Sequence, residues 1–263
     1  MIKLFIEISE VLEGAFHELE KGVPSPSFVP YGDGNVFRYD NESIENAIIQ
    51  KTARMISGLN ASLILLRTGH VQELGALFRM LDEFNEDILF LCQGLRSGEI
   101  TKLHKDYLKG FYQDEFDVPN SPLASKQNRP MIPRKKIHAA NSRISEQELN
   151  ESDNKELHRT LSKAYSGYVH AASTHIMEMY GGNPGKYHLS GMIGTPRIDE
   201  FTNNAWDYFY RGLLSFMMVA LTFKEKDMLG KLYKFRAYVE ESSHRTEWEH
   251  PEELIKREKK KKA

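Results

Sequence analysis

The chain has 263 residues, 40% of them hydrophobic and 11% aromatic, which is enough apolar material for one large packed domain and excludes a wholly disordered chain. Its formal net charge of −2 at pH 7 excludes an overall basic field of the kind that draws a protein to nucleic acid. The only cysteine, Cys92, lies in the apolar run LFLCQGL, so the sequence offers neither a disulfide within the chain nor a cysteine-based metal site.

Two apolar stretches bear on where the protein resides. The start, MIKLFIEISEVLE, reaches acidic residues within ten positions and is unlike a secretory signal. The most apolar run, residues 212–223, is shorter than the roughly 18 residues that indicate a membrane span. We therefore expect a cytoplasmic protein without a membrane-spanning segment, and we expect no cofactor and no metal.

We interpret residues 1–42 as an irregular N-terminal segment. Within it, the stretch FVPYGDGNVFRY carries Gly32, Asp33, Gly34 and Asn35 at its centre. These are residue types that favour the tight turn of a β-hairpin. The stretch therefore predicts a small hairpin.

Three helices are predicted next. Residues 43–66 carry apolar side chains at a spacing near 3.6, with Asn41 or Ser43 as the N-cap. A second apolar stripe of the same spacing covers residues 71–96, and a weaker helix covers residues 99–113. Because the break between the first two helices is so short, we expect them to form an antiparallel hairpin.

The middle of the chain has a different composition. Residues 116–144 combine several prolines with a basic cluster and show no helical period, which predicts a long, partly mobile loop. A helix is predicted again from Ser145, with Glu148 completing a capping box, and it continues with interruptions to about Tyr180. The glycine-rich residues 181–195 then form a connector.

Two further helices are predicted in the C-terminal part. Thr195 fits an N-cap and Pro196 the first position of a helix to about Phe223, and another helix follows over residues 225–242. The predicted organisation is an all-α multi-helix bundle at residues 43–242, preceded by the irregular segment and followed by a charged tail at residues 243–263.

Three histidines, His170, His175 and His188, surround the glycine-rich segment and raise the question of a chemical site. On one continuous helix, His170 and His175 would project about 140° apart, unlike the i,i+4 pair of a helical zinc site. We interpret His175 as a histidine at the edge of the core. His170 is either a surface residue or one that faces another helix across a polar seam, and no metal site is expected from the three.

The glycine-rich segment YGGNPGKYHLSGMIGTPR lacks the spacing of a phosphate-binding loop. Two interpretations remain open. The segment is either a packed connector or a functional loop. In the second case its backbone donors line a pocket beside His170, together with Lys186, His188 and Arg197.

A pair of opposite charges lies on the second long helix. Arg79 and Glu83 are four residues apart and can pair on one face. Because this helix is apolar on two sides, which is typical of a central helix, the pair is expected to be at least partly buried. It is either an internal strut between helices or a polar centre for binding or acid/base chemistry, shared with Glu73 or Asp87 and with His170.

Four segments together resemble a family of uncharacterised bacterial all-helical proteins: LLRTGHVQELGALFRMLDEFNEDILFL, LSKAYSGYVHAAS, MEMYGGNPGKYHLSGMIGTPR and WDYFYRGLLSFM. The resemblance covers roughly residues 43–240 and is most specific in the glycine-rich loop. It implies an architecture rather than a reaction. It also directs attention to the polar residues within these segments, which are Arg67, Arg79, Glu83, His170, His188 and Arg197.

A weaker resemblance is to the HEPN class of helical bundles, some of which are metal-independent ribonucleases with an arginine and a histidine four to six residues apart on a helix. Arg245 and His250 have this spacing, although Pro251 disfavours a helical His250. The resemblance implies a ribonuclease or another hydrolase as an alternative function. The candidate catalytic residues are His170, Arg79 and Glu83.

A basic loop in the middle of the chain suggests a second alternative, nucleic-acid binding through phosphate contacts. Charge runs are commonly solvated, and no stacking aromatic side chains interleave with this one. The residues concerned are Arg129, Arg134, Lys135, Lys136 and Arg143.

The leading interpretation is a protein that acts by binding, as an interaction or regulatory module. The paired amphipathic helices favour it, and so does the lack of a strong catalytic motif. Protein partners or self-association through exposed helix faces are expected. The candidate binding residues are Arg67, Lys186, His188 and Arg197.

Overall fold

A computed structural model of the protein describes residues 1–142 and 165–245. This part of the chain holds nine α-helices and two small antiparallel sheets, which confirms the predicted all-α multi-helix fold. The helices are α1 (Ile2–Leu19), α2 (Ile44–Thr68), α3 (Val71–Ser97), α4 (Lys102–Tyr112), α5 (Arg134–Ser142), α6 (Ser166–Val169), α7 (Ser173–Ile176), α8 (Pro196–Thr222) and α9 (Lys226–Ser243). The strands are β1 (Ser27–Tyr31), β2 (Gly34–Arg38), β3 (Tyr180–Gly181) and β4 (Lys186–Tyr187). None of the helices described is both long and apolar enough to cross a membrane.

The prediction of an irregular segment at residues 1–42 is wrong for its first half, which forms α1. Phe5, Ile8 and Leu12 are fully buried along one face of this helix, because their spacing of three to four residues places them on one side. Phe5 stacks on Phe209 of α8 with ring centroids 4.5 Å apart. The N-terminal helix is therefore part of the bundle.

The predicted hairpin is present as β1 and β2. Its two-residue loop begins with Gly32 at a φ of 60°, a left-handed conformation that glycine adopts without the steric cost of a side chain. The hairpin contacts the segment that follows α4. The Tyr31 hydroxyl donates to the Phe116 carbonyl at 3.3 Å, and Arg38 pairs with Asp114 at 2.6 Å.

Helices α2 and α3 form the predicted antiparallel hairpin. The Ser43 side chain accepts a hydrogen bond from the Asn46 amide and so caps the start of α2. Gly69 ends α2 at a φ of 76°, which is the common left-handed C-cap. The helix pair therefore begins and ends where its local sequence predicts.

Helix α3 is central, and α8 runs parallel to it. Three contacts in the same chain order define this arrangement: Asp82 with Arg211, Asn85 with Ser215 and Cys92 with Thr222. The Thr195 and Pro196 start of α8 and the position of α9 are as predicted. Helix α3 also contacts α2, α5 and α6, so most of its circumference is buried.

The prediction of a long loop at residues 116–144 is partly wrong, because its C-terminal part forms α5. The guanidinium of Arg134 in the first turn of α5 pairs with both Glu86 and Asp87 of α3, and Ile137 is buried. These contacts with a distant helix hold a segment that is weakly helical by its own composition. Residues 116–133 are irregular apart from a short 3-10 turn at Pro122–Ala124.

The helix predicted from Ser145 to Tyr180 is not continuous. Residues 145–164, with the predicted capping box, lie outside the described residues. Beyond them the chain forms only the short α6 and α7, separated by Ala171 at a φ of 50°. Because this left-handed residue turns the chain, His170 and His175 do not share one helix, and the predicted 140° relation between them is wrong.

Candidate functional site

A cleft of about 760 Å³ opens at the end of the bundle where α8 begins. Its walls come from the chain around β3, from the loop before α8 and from the first turn of α8. The lining residues are Met177, Glu178, Tyr180, Gly181, Gly182, His188, Met192, Ile193, Gly194, Thr195, Pro196, Arg197 and Glu200. The predicted glycine-rich connector therefore lines a cleft large enough for a small organic molecule.

The loop wall of the cleft is fixed to the turn between α2 and α3. The Met192 amide donates to the Gly69 carbonyl at 2.8 Å, and Met192 itself is buried. A Cβ on Gly69 would lie 2.6 Å from the Met192 nitrogen and 2.7 Å from the Ile193 nitrogen. The close approach of the two backbones therefore depends on a residue without a side chain.

Another part of the wall comes from β3, which pairs with β4 in the small sheet. Tyr180 and Tyr187 are cross-strand partners whose rings meet edge to face, with centroids 5.1 Å apart. The His188 amide donates to the Met179 carbonyl at 2.9 Å, which places the His188 ring beside Gly181. His188 also borders a smaller pocket next to His70. The imidazole therefore stands between the main cleft and this side pocket.

The charged groups of the cleft centre on Arg197 in the first turn of α8. Its guanidinium lies 2.6 Å from the Glu200 carboxylate and 3.5 Å from that of Glu178. Burial lowers the pKa of Arg197, but the hydrogen bond to Glu200 and the charge of Glu178 outweigh it and raise the pKa above the usual range. Two carboxylates thus flank one permanently charged guanidinium.

The carboxylate of Glu178 is held in place by a hydrogen bond from a tyrosine hydroxyl. Tyr168 of α6 donates to Glu178 Oε2 at 2.6 Å. Burial first, and then the hydrogen bond to Glu178, raise the pKa of the Tyr168 hydroxyl, so it stays protonated and acts as a donor. The side chain of Glu178 is only 21% exposed, compared with 53% for Glu200.

Only two of the four predicted binding residues line the cleft. His188 and Arg197 line the cleft. Arg67 is exposed at the end of α2, next to the turn on which the loop docks, and Lys186 is exposed on β4 outside the lining. Half of the predicted binding set therefore belongs to one site.

The candidate catalytic residues form one ion pair and one separate histidine. Arg79 and Glu83 pair at 2.7 Å, with 17% and 39% of their side chains exposed. His170 is exposed at the C-terminal end of α6, and within the described residues its side chain makes no hydrogen bond or ion pair. Arg197 instead pairs with Glu178 and Glu200.

The buried charges of the bundle lie elsewhere on α3. Asp82 accepts from Arg211 at 2.7 Å and from the Tyr208 hydroxyl at 3.2 Å. Burial raises the pKa of Asp82, and the Arg211 charge opposes this rise. The sequence signal for this contact is an acidic residue inside the apolar stripe of α3, one helical turn after Phe78.

Two more buried acids follow along the same helix. Asp87 pairs with Lys51 at 2.8 Å and accepts from the Tyr107 hydroxyl at 2.8 Å. Glu86 is bound by Arg134 and by His138, the latter at 2.9 Å. Because cations from α2, α5 and α8 all meet acids of α3, the network fixes the relative positions of these helices.

The residues proposed to contact nucleic acid do not form one exposed basic group. Arg134 is occupied by buried acids of α3, and Arg129 donates to the Gly110 carbonyl at 2.7 Å. Lys135 and Lys136 are exposed on α5, and Arg143 lies outside the described residues. The basic cluster therefore offers fewer free cations than its sequence suggests.

The remaining histidines and the HEPN-like pair can be placed in part. His175 is half-buried with its ring 4.4 Å from that of Tyr168, at the edge of the core as predicted. Arg245 lies 4.9 Å over the Trp206 ring, and His250 lies outside the described residues. Among the residues described, no group of three or more His, Cys, Asp or Glu side chains is arranged to hold a metal ion. Comparisons of the chain with protein-family models, curated proteins and solved structures found no match.

Proposed function

We propose that the protein acts by binding, and that the cleft at the start of α8 holds a small organic ligand with an apolar body and a basic nitrogen. The observation that carries this proposal is the grouping of Glu178, Arg197 and Glu200 in a cleft that is also lined by apolar side chains. The ligand class follows from the size, charge and rigidity of the cleft.

The size and the lining support a small molecule rather than a macromolecule. A volume of about 760 Å³ lies within the range of roughly 300–1,000 Å³ that is typical of small-molecule sites. The apolar part of the lining includes Met177, Met192 and Ile193. Methionine side chains adapt to apolar ligands of different shape, which suits a site of this width.

The charges support a cationic group on the ligand. Glu178 and Glu200 supply two negative charges, whereas Arg197 supplies one positive charge. The positive end of the α8 dipole offsets roughly half a charge more, so a negative excess remains. An anionic ligand would have to compete with Glu200 for the guanidinium, whereas an ammonium group can share both carboxylates without displacing any contact.

The rigidity of the walls supports binding without a large rearrangement. One wall is held by the hydrogen bond between Met192 and Gly69, and Glu178 is fixed by the Tyr168 hydroxyl. A site held by its own contacts loses less conformational entropy when a ligand arrives. The cleft is therefore available in the free protein.

The test is calorimetric titration with two probes that share a carbon skeleton and differ in charge, 4-phenylbutylamine and 4-phenylbutyrate. We expect the amine to bind and the carboxylate to bind at least tenfold more weakly. The substitution Glu200→Gln should weaken amine binding severalfold, because it removes one of the two carboxylates. Glu241→Gln on α9 removes the same charge from an exposed position away from the cleft and should leave binding unchanged.

Two results would contradict the proposal. The first is equal or tighter binding of 4-phenylbutyrate. The second is an equal response of the Glu200→Gln and Glu241→Gln variants, because amine binding would then depend on the overall charge of the protein and not on the cleft.

A further inference from the structure

The two carboxylates that line the ligand cleft are each bound through one oxygen. Glu178 accepts a hydrogen bond from the Tyr168 hydroxyl through Oε2, and Glu200 accepts one from Arg197 through Oε2 at 2.6 Å. The Oε1 atom of Glu178 lies 3.5 Å from the Arg197 guanidinium, which is too long for a hydrogen bond. Among the residues described, no donor reaches Oε1 of Glu200. One oxygen of each carboxylate can therefore still accept a hydrogen bond from a ligand.

Aromatic side chains are a second means of binding a cation, and the described part of the cleft has few of them. Tyr180 is the one phenylalanine, tyrosine or tryptophan among the described residues that line it, and its ring packs edge to face on that of Tyr187. Proteins that recognise a quaternary ammonium group enclose it in a cage of several aromatic rings. The carboxylate oxygens, and not a cage of rings, are therefore the groups that fit the ligand nitrogen.

We propose that the cleft selects a ligand nitrogen with at least two N–H donors, which is a primary or secondary ammonium group, over a tertiary or quaternary one. This inference rests on the proposed function, because it specifies the cation of the same ligand. A primary ammonium has three N–H donors and can donate to Glu178 and Glu200 together. A quaternary ammonium keeps the charge, but its methyl groups would cover the two oxygens and remove them from water without supplying a donor.

Tyr168 determines which oxygen of Glu178 remains available. Its ring packs edge to face against His175 and Phe201, with centroids 4.4 Å and 5.9 Å away, so its hydroxyl has little freedom to move. The hydroxyl holds Oε2 of Glu178 and leaves Oε1 on the side of Arg197. Tyr168 is not among the residues that line the cleft. It is therefore a positioning residue, which acts on a ligand through the orientation of Glu178.

The first test is calorimetric titration with 4-phenylbutylamine and its N-methyl, N,N-dimethyl and N,N,N-trimethyl derivatives, all of which are cationic at about pH 7. The first methyl group leaves two N–H donors for two oxygens and should change the affinity little. The second leaves one donor, and the third leaves none. We expect a severalfold loss of affinity at the second methyl group and a loss of about tenfold or more at the third.

The control for the added volume is α,α-dimethyl-4-phenylbutylamine, an isomer of the N,N-dimethyl compound that carries both methyl groups on carbon. It keeps three N–H donors and should bind like the parent amine, because a cleft of about 760 Å³ has room for two more methyl groups. Equal affinities along the N-methyl series, or an isomer as weak as the N,N-dimethyl compound, would overturn the inference and leave the proposed function in place. A parent amine that does not bind would overturn both.

The second test changes the orientation of Glu178 without changing the charge of the cleft. Tyr168→Phe removes the hydroxyl that holds Glu178, so the affinity ratio between the primary and the quaternary amine should fall severalfold. The control is Tyr210→Phe, which removes a hydrogen bond from a tyrosine hydroxyl to the carboxylate of Glu240 on α9 and should leave the ratio unchanged. An equal ratio in the two variants would overturn the positioning role of Tyr168.

Discussion

Asp82 of α3 and Arg211 of α8 form a buried ion pair with a nitrogen–oxygen distance of 2.7 Å. Only 4% of the Asp82 side chain and 17% of the Arg211 side chain are exposed. The Tyr208 hydroxyl donates to the second carboxylate oxygen, so both oxygens of Asp82 are satisfied. The pair joins the two longest helices of the bundle at the point where their aromatic side chains meet.

Replacement of Arg211 by methionine is expected to destabilise the protein by about 3–5 kcal/mol at neutral pH, because it leaves the Asp82 carboxylate buried without its cation. Lys102→Met is the control, since Lys102 pairs with Asp106 on the surface of α4, and its cost should be about 0.5 kcal/mol or less. Urea denaturation of both variants measures these differences. Equal costs would contradict a structural role for the buried pair.

The cost of Arg211→Met is also expected to depend on pH. Burial raises the pKa of Asp82, and Arg211 holds this rise in check, so the pKa rises further in the variant. A carboxyl with a raised folded-state pKa stabilises the fold below its unfolded-state pKa of about 4, and this stability is lost as pH rises through the folded-state value. The variant should therefore lose more free energy of unfolding at about pH 7 than at about pH 4.5, and a smaller loss at the higher pH would be inconsistent with this assignment.

Arg134 and Lys135 are expected to respond in opposite ways although they are adjacent and equally charged. Arg134→Ala removes the cation that Glu86 and Asp87 share and should cost about 2–4 kcal/mol. Lys135 is exposed, so Lys135→Ala should change stability by about 0.5 kcal/mol or less. The free energies of unfolding measure the difference. Two equally mild effects would indicate that the α5 contact with α3 is absent in solution.

Gly69 is expected to be intolerant of alanine. The added Cβ would meet the Met192 and Ile193 nitrogens at less than 3 Å, and the φ of 76° is strained for any side chain. We expect a loss of about 1–3 kcal/mol together with weaker ligand binding in the cleft. Gly230→Ala is the control, because α9 has open space at this position, and it should stabilise the protein by about 0.5–1 kcal/mol.

His170 and His175 are expected to differ in their effect on stability. His170→Ala removes an exposed side chain and should change the free energy of unfolding by about 0.5 kcal/mol or less. His175→Ala removes a ring that packs against Tyr168 and should cost about 1–2 kcal/mol. Thermal unfolding distinguishes the two, and a larger loss for His170 would show that its surroundings differ from those described.

Local sequence patterns predict the helices with regular apolar spacing, the N-caps at Ser43 (with Asn41 as the alternative) and Thr195, and the short break between α2 and α3, because these depend on neighbouring residues. The same pattern is present in α1, where Phe5, Ile8 and Leu12 recur at helical intervals, so this helix could have been predicted.

Other features could not be predicted from neighbouring residues. The basic segment around Arg134 folds as a helix because the Arg134 guanidinium pairs with Glu86 and Asp87, which lie more than forty residues away in the chain. The break at Ala171 depends on the packing of α6 against α3, since Tyr168 fills the space beside Gly75. The sequence left open whether His188 and Arg197 line the same cleft, because this depends on where the glycine-rich loop docks.

The most direct test of the proposed ligand site is the mapping of amide chemical shifts during a titration with 4-phenylbutylamine. Gly182 and Gly194 both line the cleft, and we expect their amide resonances, with that of His188, to move most and to saturate together. Shifts that cluster elsewhere on the bundle, or that stay absent at millimolar amine, would contradict the assignment of the cleft as the binding site.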